Sequence, residues 1–142
     1  MLYLAQTDTT AGFLAHDVRE IAHAKERAAH KPCVWTTARL AHLREVVRVP
    51  RKFAARVRRS RRCTFIVRNR AVRFVADCPH AGFLRRFVGL FSSSANKSGE
   101  KFCADFAQRC ADIVVFERDN PLCERAASRI YRLNNYAIKR IR

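Results

Sequence analysis

The sequence predicts an α/β fold, a twisted mixed β-sheet flanked by helices and built as a single domain over residues 1–142. Three observations carry this expectation. Short apolar runs of strand type interleave along the chain with stretches whose apolar positions recur at helical spacing. The last two strand-like runs alternate apolar and charged residues about Asn134 and Asn135, the pattern of an antiparallel hairpin closing a mixed sheet. A hydrophobic share of 49% in 142 residues is enough for one core, burying roughly two thirds of the surface that the unfolded chain exposes.

Leu2 to Ala5 opens the chain as a short apolar strand. Gln6 to Phe13, QTDTTAGF, then reads as a loop with three hydroxyls and one carboxylate. Asp17 and Glu20 stand at capping-box spacing, which starts a helix running through Ile21 and Ala24 toward Ala28. Lys25 and Arg27 fall in its last turn, where cations complement the carbonyl-rich end. Two helical steps of about 100° point these residues to different sides, so the helix must unwind there if both face one ligand. Cys33 to Thr37, holding Val34 and Trp35, is a strand after Pro32.

Thr37 is placed to cap a helix over Ala38 to Val47, with Leu40, Leu43, Val46 and Val47 on its apolar face and Pro50 beyond its end. A basic helix, Arg51 to Arg62, turns Phe53, Ala54 and Val57 inward and Arg51, Lys52, Arg56, Arg58, Arg59, Arg61 and Arg62 mostly outward. Cys63 to Val67 and Val72 to Ala76 are central strands joined across Arg68, Asn69 and Arg70. Asp77 and Pro79 open a helix through Phe83, Leu84 and Phe87 that Gly89 ends. Lys101 to Cys110 is amphipathic through Phe102 and Phe106, and the continuous apolar run Ile113 to Phe116 predicts a buried strand. A loop over Glu117 to Pro121 precedes the closing hairpin, Ser128 to Leu133 and Tyr136 to Ile141.

Lys and Arg number 29 against 12 Asp and Glu, a formal charge of +17. Such a field attracts polyanions, which points to RNA or a phosphorylated substrate, and it is equally the field of a protein from a uniformly basic proteome. Six cysteines are scattered without a CxxC pair, so no structural metal site is expected. His16, His23 and His30 recur every seven residues, but on a helix they stand about 10 Å apart, too far to share an ion. The apolar start stops at Gln6, Thr7 and Asp8, and no run approaches the ~18 apolar residues that a membrane helix needs. These features predict a cytoplasmic protein with reduced thiols and no membrane partner.

The stretch Leu90 to Glu100, LFSSSANKSGE, is a strand ending in a polar loop ahead of a helix. Small hydroxyl and amide side chains let backbone approach a ligand, and such a loop suits a phosphate or carboxylate; a serine-rich turn that only caps the next helix looks the same. Asn96 offers both an amide donor and a carbonyl acceptor, and Ser94, two residues earlier in extended backbone, points to the same side. Asn96 is expected to be an exposed loop amide with no buried partner.

In order along the chain stand TDTTAGF after the first strand, Lys25 and Arg27 with Lys31-Pro32 following, the apolar strand CTFIV, Ala71-Val72-Arg73, the Ser94-x-Asn96-x-Ser98-Gly99 loop, and Ser128-Arg129-Ile130. Together they resemble the motifs of the YrdC-like threonylcarbamoyl-AMP synthase family. The match spans nearly the whole chain. Each motif alone is weak, but their order and spacing make chance improbable. The chain departs from the family pattern at Thr10-Ala11, where an aromatic residue is usual, at Ala28, where proline is usual, and at Arg61-Arg62, which stand where Pro-Gly-Pro is expected.

The resemblance implies a YrdC-like fold and a synthase that joins L-threonine, bicarbonate and ATP into threonylcarbamoyl-adenylate and pyrophosphate. The product would pass to downstream threonylcarbamoyl-transfer proteins that modify tRNA. Carried over residue by residue, Lys25 and Arg27 are the catalytic cations, Lys31, Ser94, Asn96, Arg73 and Ser128 hold ATP and its phosphates, and Thr7 and Thr9 hold threonine or its carbamate. ATP is a substrate, and Mg²⁺ is expected on its phosphates with no protein metal site. The alternative is a non-catalytic YrdC-like protein that binds tRNA or double-stranded RNA, which the charge excess and the missing Pro-Gly-Pro favour.

Overall fold

The computed structural model describes residues 1–142. The chain opens with β1 (Tyr3–Gln6), β2 (Ala11–Ala15), α1 (Val18–Ala24), β3 (Val34–Thr37), α2 (Leu40–Val46) and α3 (Arg51–Arg59). It continues with β4 (Cys63–Val67), β5 (Arg70–Phe74), α4 (Pro79–Leu84) and β6 (Leu90–Ser94). It closes with α5 (Ala104–Cys110), β7 (Ile113–Val115), β8 (Arg129–Leu133) and β9 (Ile138–Arg140). The strands form one nine-stranded sheet in the order β7-β1-β2-β6-β3-β5-β4-β8-β9. Three pairings are parallel, β1 with β7, β3 with β5 and β4 with β8, and the others are antiparallel, so the sheet is mixed as expected.

Local chemistry explains most boundaries. The Asp17 carboxylate caps α1 by accepting from the Arg19 N–H at 2.8 Å, and Pro79 takes the first position of α4, where no N–H is needed. Arg68 and Asn69 both adopt positive φ, 47° and 64°, the geometry of a tight turn that matches the twist of β4 and β5.

Alternation sorts the side chains of the sheet into three clusters. Leu4, Phe13 and Ala15 pack with Ile21 of α1 and Ala107 of α5, while Ala5 and Leu14 face Ala81 and Leu84 of α4. Cys63, Phe65, Val67, Val72 and Leu133 close on Leu43 of α2 and Val57 of α3.

Several sequence expectations are corrected. The QTDTTAGF stretch is not all loop: only Thr7 to Thr10 turn, and Ala11–Ala15 returns as β2, buried at every position and paired to β1. Its mix of glycine, alanine and two apolar residues hid a strand that is covered on both faces. Thr37 ends β3 instead of capping α2; its hydroxyl donates to Val88 O and accepts from the Arg39 N–H. The basic helix stops at Arg59, leaving Arg61 and Arg62 in a turn, and Ala54 is exposed. The apolar run at Ile113–Val115 is a sheet edge, with Ile113 40% exposed and Phe116 78%, and not a buried strand. No helix is long and apolar enough to cross a membrane.

Candidate functional site

Because Phe65 and Val72 face α2 and α3, their neighbours Thr64 and Arg73 point to the other face of the sheet. Arg73 is buried there, and its guanidinium bridges two elements, the β1–β2 loop and β4. Nη1 donates to Asp8 Oδ1 at 3.0 Å and to Thr9 Oγ1 at 3.1 Å, while Nε and Nη2 donate to Thr64 Oγ1 at 3.2 and 2.9 Å. Thr64 Oγ1 also stands 3.0 Å from Ser128 Oγ, which ties in the start of β8. A guanidinium fork is the group that can span acceptors on separate elements in this way.

The loop between β1 and β2 is shaped by its own hydroxyls. Thr7 Oγ1 donates to Thr10 O at 2.7 Å and accepts from the Thr9 N–H at 3.1 Å, a hydroxyl turn that holds both threonines buried and in mutual contact at 3.1 Å. Gly12 then lets β2 pass close beneath them. A Cβ at that position would lie 2.8 Å from Thr7 Cγ2 and 3.2 Å from Ser93 O, so only glycine fits. Thr7, Thr9, Arg73, Ser94 and Ser128 thus line one polar cavity of about 290 Å³, together with Gly12 and Thr64. Five of the nine residues singled out from the sequence meet there.

Lys25, Asn96 and Ser94 form a second, adjoining cluster. α1 ends at Ala24 and the chain turns sharply at Glu26, whose φ is 49°, so the helix does unwind between Lys25 and Arg27. Lys25 is only 3% exposed, and its ammonium donates to the backbone carbonyls of Ser94 and Asn96 and to Asn96 Oδ1 at 3.2 Å. Burial, and then the neighbouring Arg27 charge, push its pKa down to about 8. Asn96 is not the unpartnered amide expected from the sequence. Its Nδ2 donates to Lys97 O and Glu100 O at 2.9 and 2.6 Å, so the side chain folds the loop and receives Lys25 at once.

The remaining basic residues are less converged. Arg27 Nη2 donates to Cys33 Sγ at 3.0 Å, and its Nε is buried without a partner in the protein. Lys31 is exposed with its Nζ 3.5 Å from Ser98 Oγ, on the same loop as Asn96. Neither Arg27 nor Lys31 lines the cavity that holds Arg73, but both flank the β6 loop or the turn before β3.

Sequence reasoning missed Asp8, Thr64 and His80. Asp8 was legible as the lone carboxylate of its loop, and Thr64 as the lone polar residue of CTFIV. His80 gave no signal. It is 1% exposed, stacks on Phe83 with ring centroids 6.0 Å apart, and has both ring nitrogens without a hydrogen-bond partner. Burial pushes its pKa down to about 4; Asp8 pulls the other way and the Arg73 charge adds to the fall. The folded protein therefore keeps His80 neutral while the unfolded chain protonates it near 6.5, so stability is full above that pH and is lost as pH falls toward about 4. We expect a loss of about 3 kcal/mol across this window, absent in His80→Phe, in urea melts taken between neutral and acidic pH. Equal pH slopes in the two proteins would refute it.

No protein-family model matches the sequence, and no curated protein matches it. Solved structures do. Sua5 of P. abyssi superposes over 99% of this chain and 52% of its own, with TM-score 0.80 and 20% identity. HypF, in a phosphate- and nucleotide-bound form, matches 99% of this chain and 26% of its own at TM-score 0.79 and 14% identity. E. coli YciO matches over 99% of this chain and 82% of its own, with TM-score 0.73 and 13% identity. The chain has the YrdC-like fold. It spans about half the length of the Sua5 structures, one of which is a complex with L-threonine.

Proposed function

We propose that this YrdC-like protein is an L-threonylcarbamoyladenylate synthase, making threonylcarbamoyl-AMP and pyrophosphate from L-threonine, bicarbonate and ATP for the modification of tRNA. The observation that supports it is the meeting of Thr7, Thr9, Arg73, Ser94 and Ser128 in one polar cavity beside the Lys25–Asn96 cluster. The Sua5 complex with L-threonine shares this fold and adds weight to an amino-acid substrate.

In this reading the chemistry is positioning and charge. The threonine carbamate must meet the α-phosphate in line, and cations must stabilise the phosphoryl oxygens and the departing pyrophosphate. Thr7 and Thr9 orient threonine or its carbamate, Ser94, Asn96, Arg73 and Ser128 hold the nucleotide, and Lys25, Arg27 and Lys31 supply positive charge. No carboxylate lines the cavity; Asp8, beyond its wall, is tied to Arg73. Mg²⁺ would come with the ATP phosphates and supply positive charge to them. Pyrophosphate release that requires both threonine and bicarbonate is the expected result; release from ATP that ignores both would refute the synthase.

Arg27 carries a separate prediction. Its unpartnered, buried Nε and its Cys33 contact leave donors for a phosphate, so Arg27→Ala is expected to weaken ATP binding about tenfold, the worth of one charge-assisted contact. Calorimetry showing unchanged ATP affinity would remove Arg27 from the site.

The second reading, a YrdC-like protein that binds tRNA or double-stranded RNA without catalysis, is favoured by one observation. Arg56, Arg58, Arg59, Arg61 and Arg62 are all exposed, and among them only Arg61 is paired to a carboxylate, that of Asp77. If they meet phosphates, glutamine in their place lowers the slope of log affinity against log salt by roughly 0.7 to 0.9 per lost contact. An unchanged slope would leave α3 a solvated face.

A further inference from the structure

We infer that the cavity in front of His80 is a separate binding site for a phosphate group, lying across the Asp8–Arg73 pair from the cavity already described. The inference does not rest on the synthase reading. This second cavity has a volume of about 360 Å³ and lies where the ends of β1 and β5 meet the start of α4. It shares Thr7 with the first cavity, but its wall carries Arg61, Arg62, Arg125, Asn120 and His80 in place of hydroxyls.

Two features point to an anionic occupant. His80 lines the cavity, is 1% exposed, and has neither ring nitrogen bonded, although buried polar groups are ordinarily hydrogen-bonded. A ligand oxygen accepting from its ring N–H satisfies one of the two nitrogens, the donor. The second feature is uncompensated charge. Arg61 is paired with Asp77, and Asp8 with Arg73, so the two carboxylates in the wall are already neutralised. Arg62 has no side-chain partner, and Arg125 meets only neutral groups, Asn120 Oδ1 at 3.0 Å and Cys123 Sγ at 3.2 Å. Two free guanidiniums balance a phosphate dianion, whereas a carboxylate would neutralise only one. Arg62 is also held at φ 52°, a left-handed conformation unusual for arginine, in the bend between α3 and β4, and it lines the cavity there.

The test follows the His80 ring by NMR, with nitrogen-15 in the imidazole, while inorganic phosphate is titrated into the full chain. Phosphate also suits the Lys25 cluster, so the titration is repeated in Lys25→Met. The expected result is a saturable movement of the His80 ring signals that persists in Lys25→Met and is weakened about tenfold or more in the double variant Arg62→Gln, Arg125→Gln. Both arginines are exposed, so that variant should fold. Sodium acetate serves as the carboxylate control, and a response to acetate equal to that to phosphate overturns the assignment to phosphate. Ring signals that stay still, that move only when Lys25 is present, or that move equally in the double arginine variant overturn the site.

Discussion

Replacing Arg73 with leucine is expected to remove about 3 to 5 kcal/mol of folding stability, the cost of breaking a buried ion pair from one side. The Asp8 side chain is 11% exposed and its partner 9%, so deleting the guanidinium strands a carboxylate in the interior. Thr9 and Thr64 also lose a donor, though each keeps a hydroxyl contact, to Thr7 and Ser128 respectively. The orphaned charge should dominate. The double change Arg73→Met, Asp8→Leu removes both charges and should recover most of the loss, because apolar replacement of a whole buried pair is often neutral. Arg73→Lys should fall between, since one ammonium cannot span Asp8, Thr9 and Thr64. Urea melts decide: a single leucine variant within about 1 kcal/mol of wild type, or a double variant as unstable as the single, would show that the pair is not what holds these strands.

How much of this was legible in the sequence depends on which interactions reported locally. Periodicity and punctuation found β1, β3, β4, β6, the closing hairpin and every helix, and β5 two residues late (Val72 to Ala76 expected, Arg70–Phe74 observed), because strand runs, Pro79 and Asp17 act within a few residues of where they stand. β2 escaped because its signal is not local: Ala11–Ala15 is buried by β1 and β6 on its edges and by helices on both faces, with no alternation to see. The edge strand Ile113–Val115 misled in the opposite sense, since an apolar run says nothing about which side of a sheet lacks a neighbour. The candidate site shows the same division. The chain-order motifs picked out Thr7, Thr9, Arg73, Ser94 and Ser128, which the fold brings to one cavity. That Lys25 would spend its ammonium on the carbonyls of Ser94 and Asn96, 69 and 71 residues away, depends on where α1 stops against β6. His80 lay beyond reach because its lack of partners is a property of the packed interior alone.

Lys25 gives the largest expected effect on activity. Lys25→Met should cut threonine- and bicarbonate-dependent pyrophosphate release about a hundredfold or more, the typical loss on removing a preorganised group from a developing charge. Asn96→Ala should cost about tenfold, because it deletes one of the acceptors that aim the ammonium and two ties of the loop while leaving the charge in place. The depressed pKa, about 8 against an ordinary 10.5, supplies the sharper test. Between these values the unfolded chain carries the proton and the folded protein has released it, so folding stability rises with pH across the window. ATP binding must do the reverse, since the neutral amine has no charge to offer and ATP itself is fully ionised there. Affinity for ATP at pH 9 is therefore expected to be about tenfold below that at pH 7, while Lys25→Arg, charged throughout, holds level. Opposite trends of stability and affinity in one protein over one pH range cannot come from general loss of structure. If wild-type ATP affinity stays flat from pH 7 to 9 while stability rises, then Lys25 titrates where expected but does not touch the phosphates, and its role is confined to holding the β6 loop.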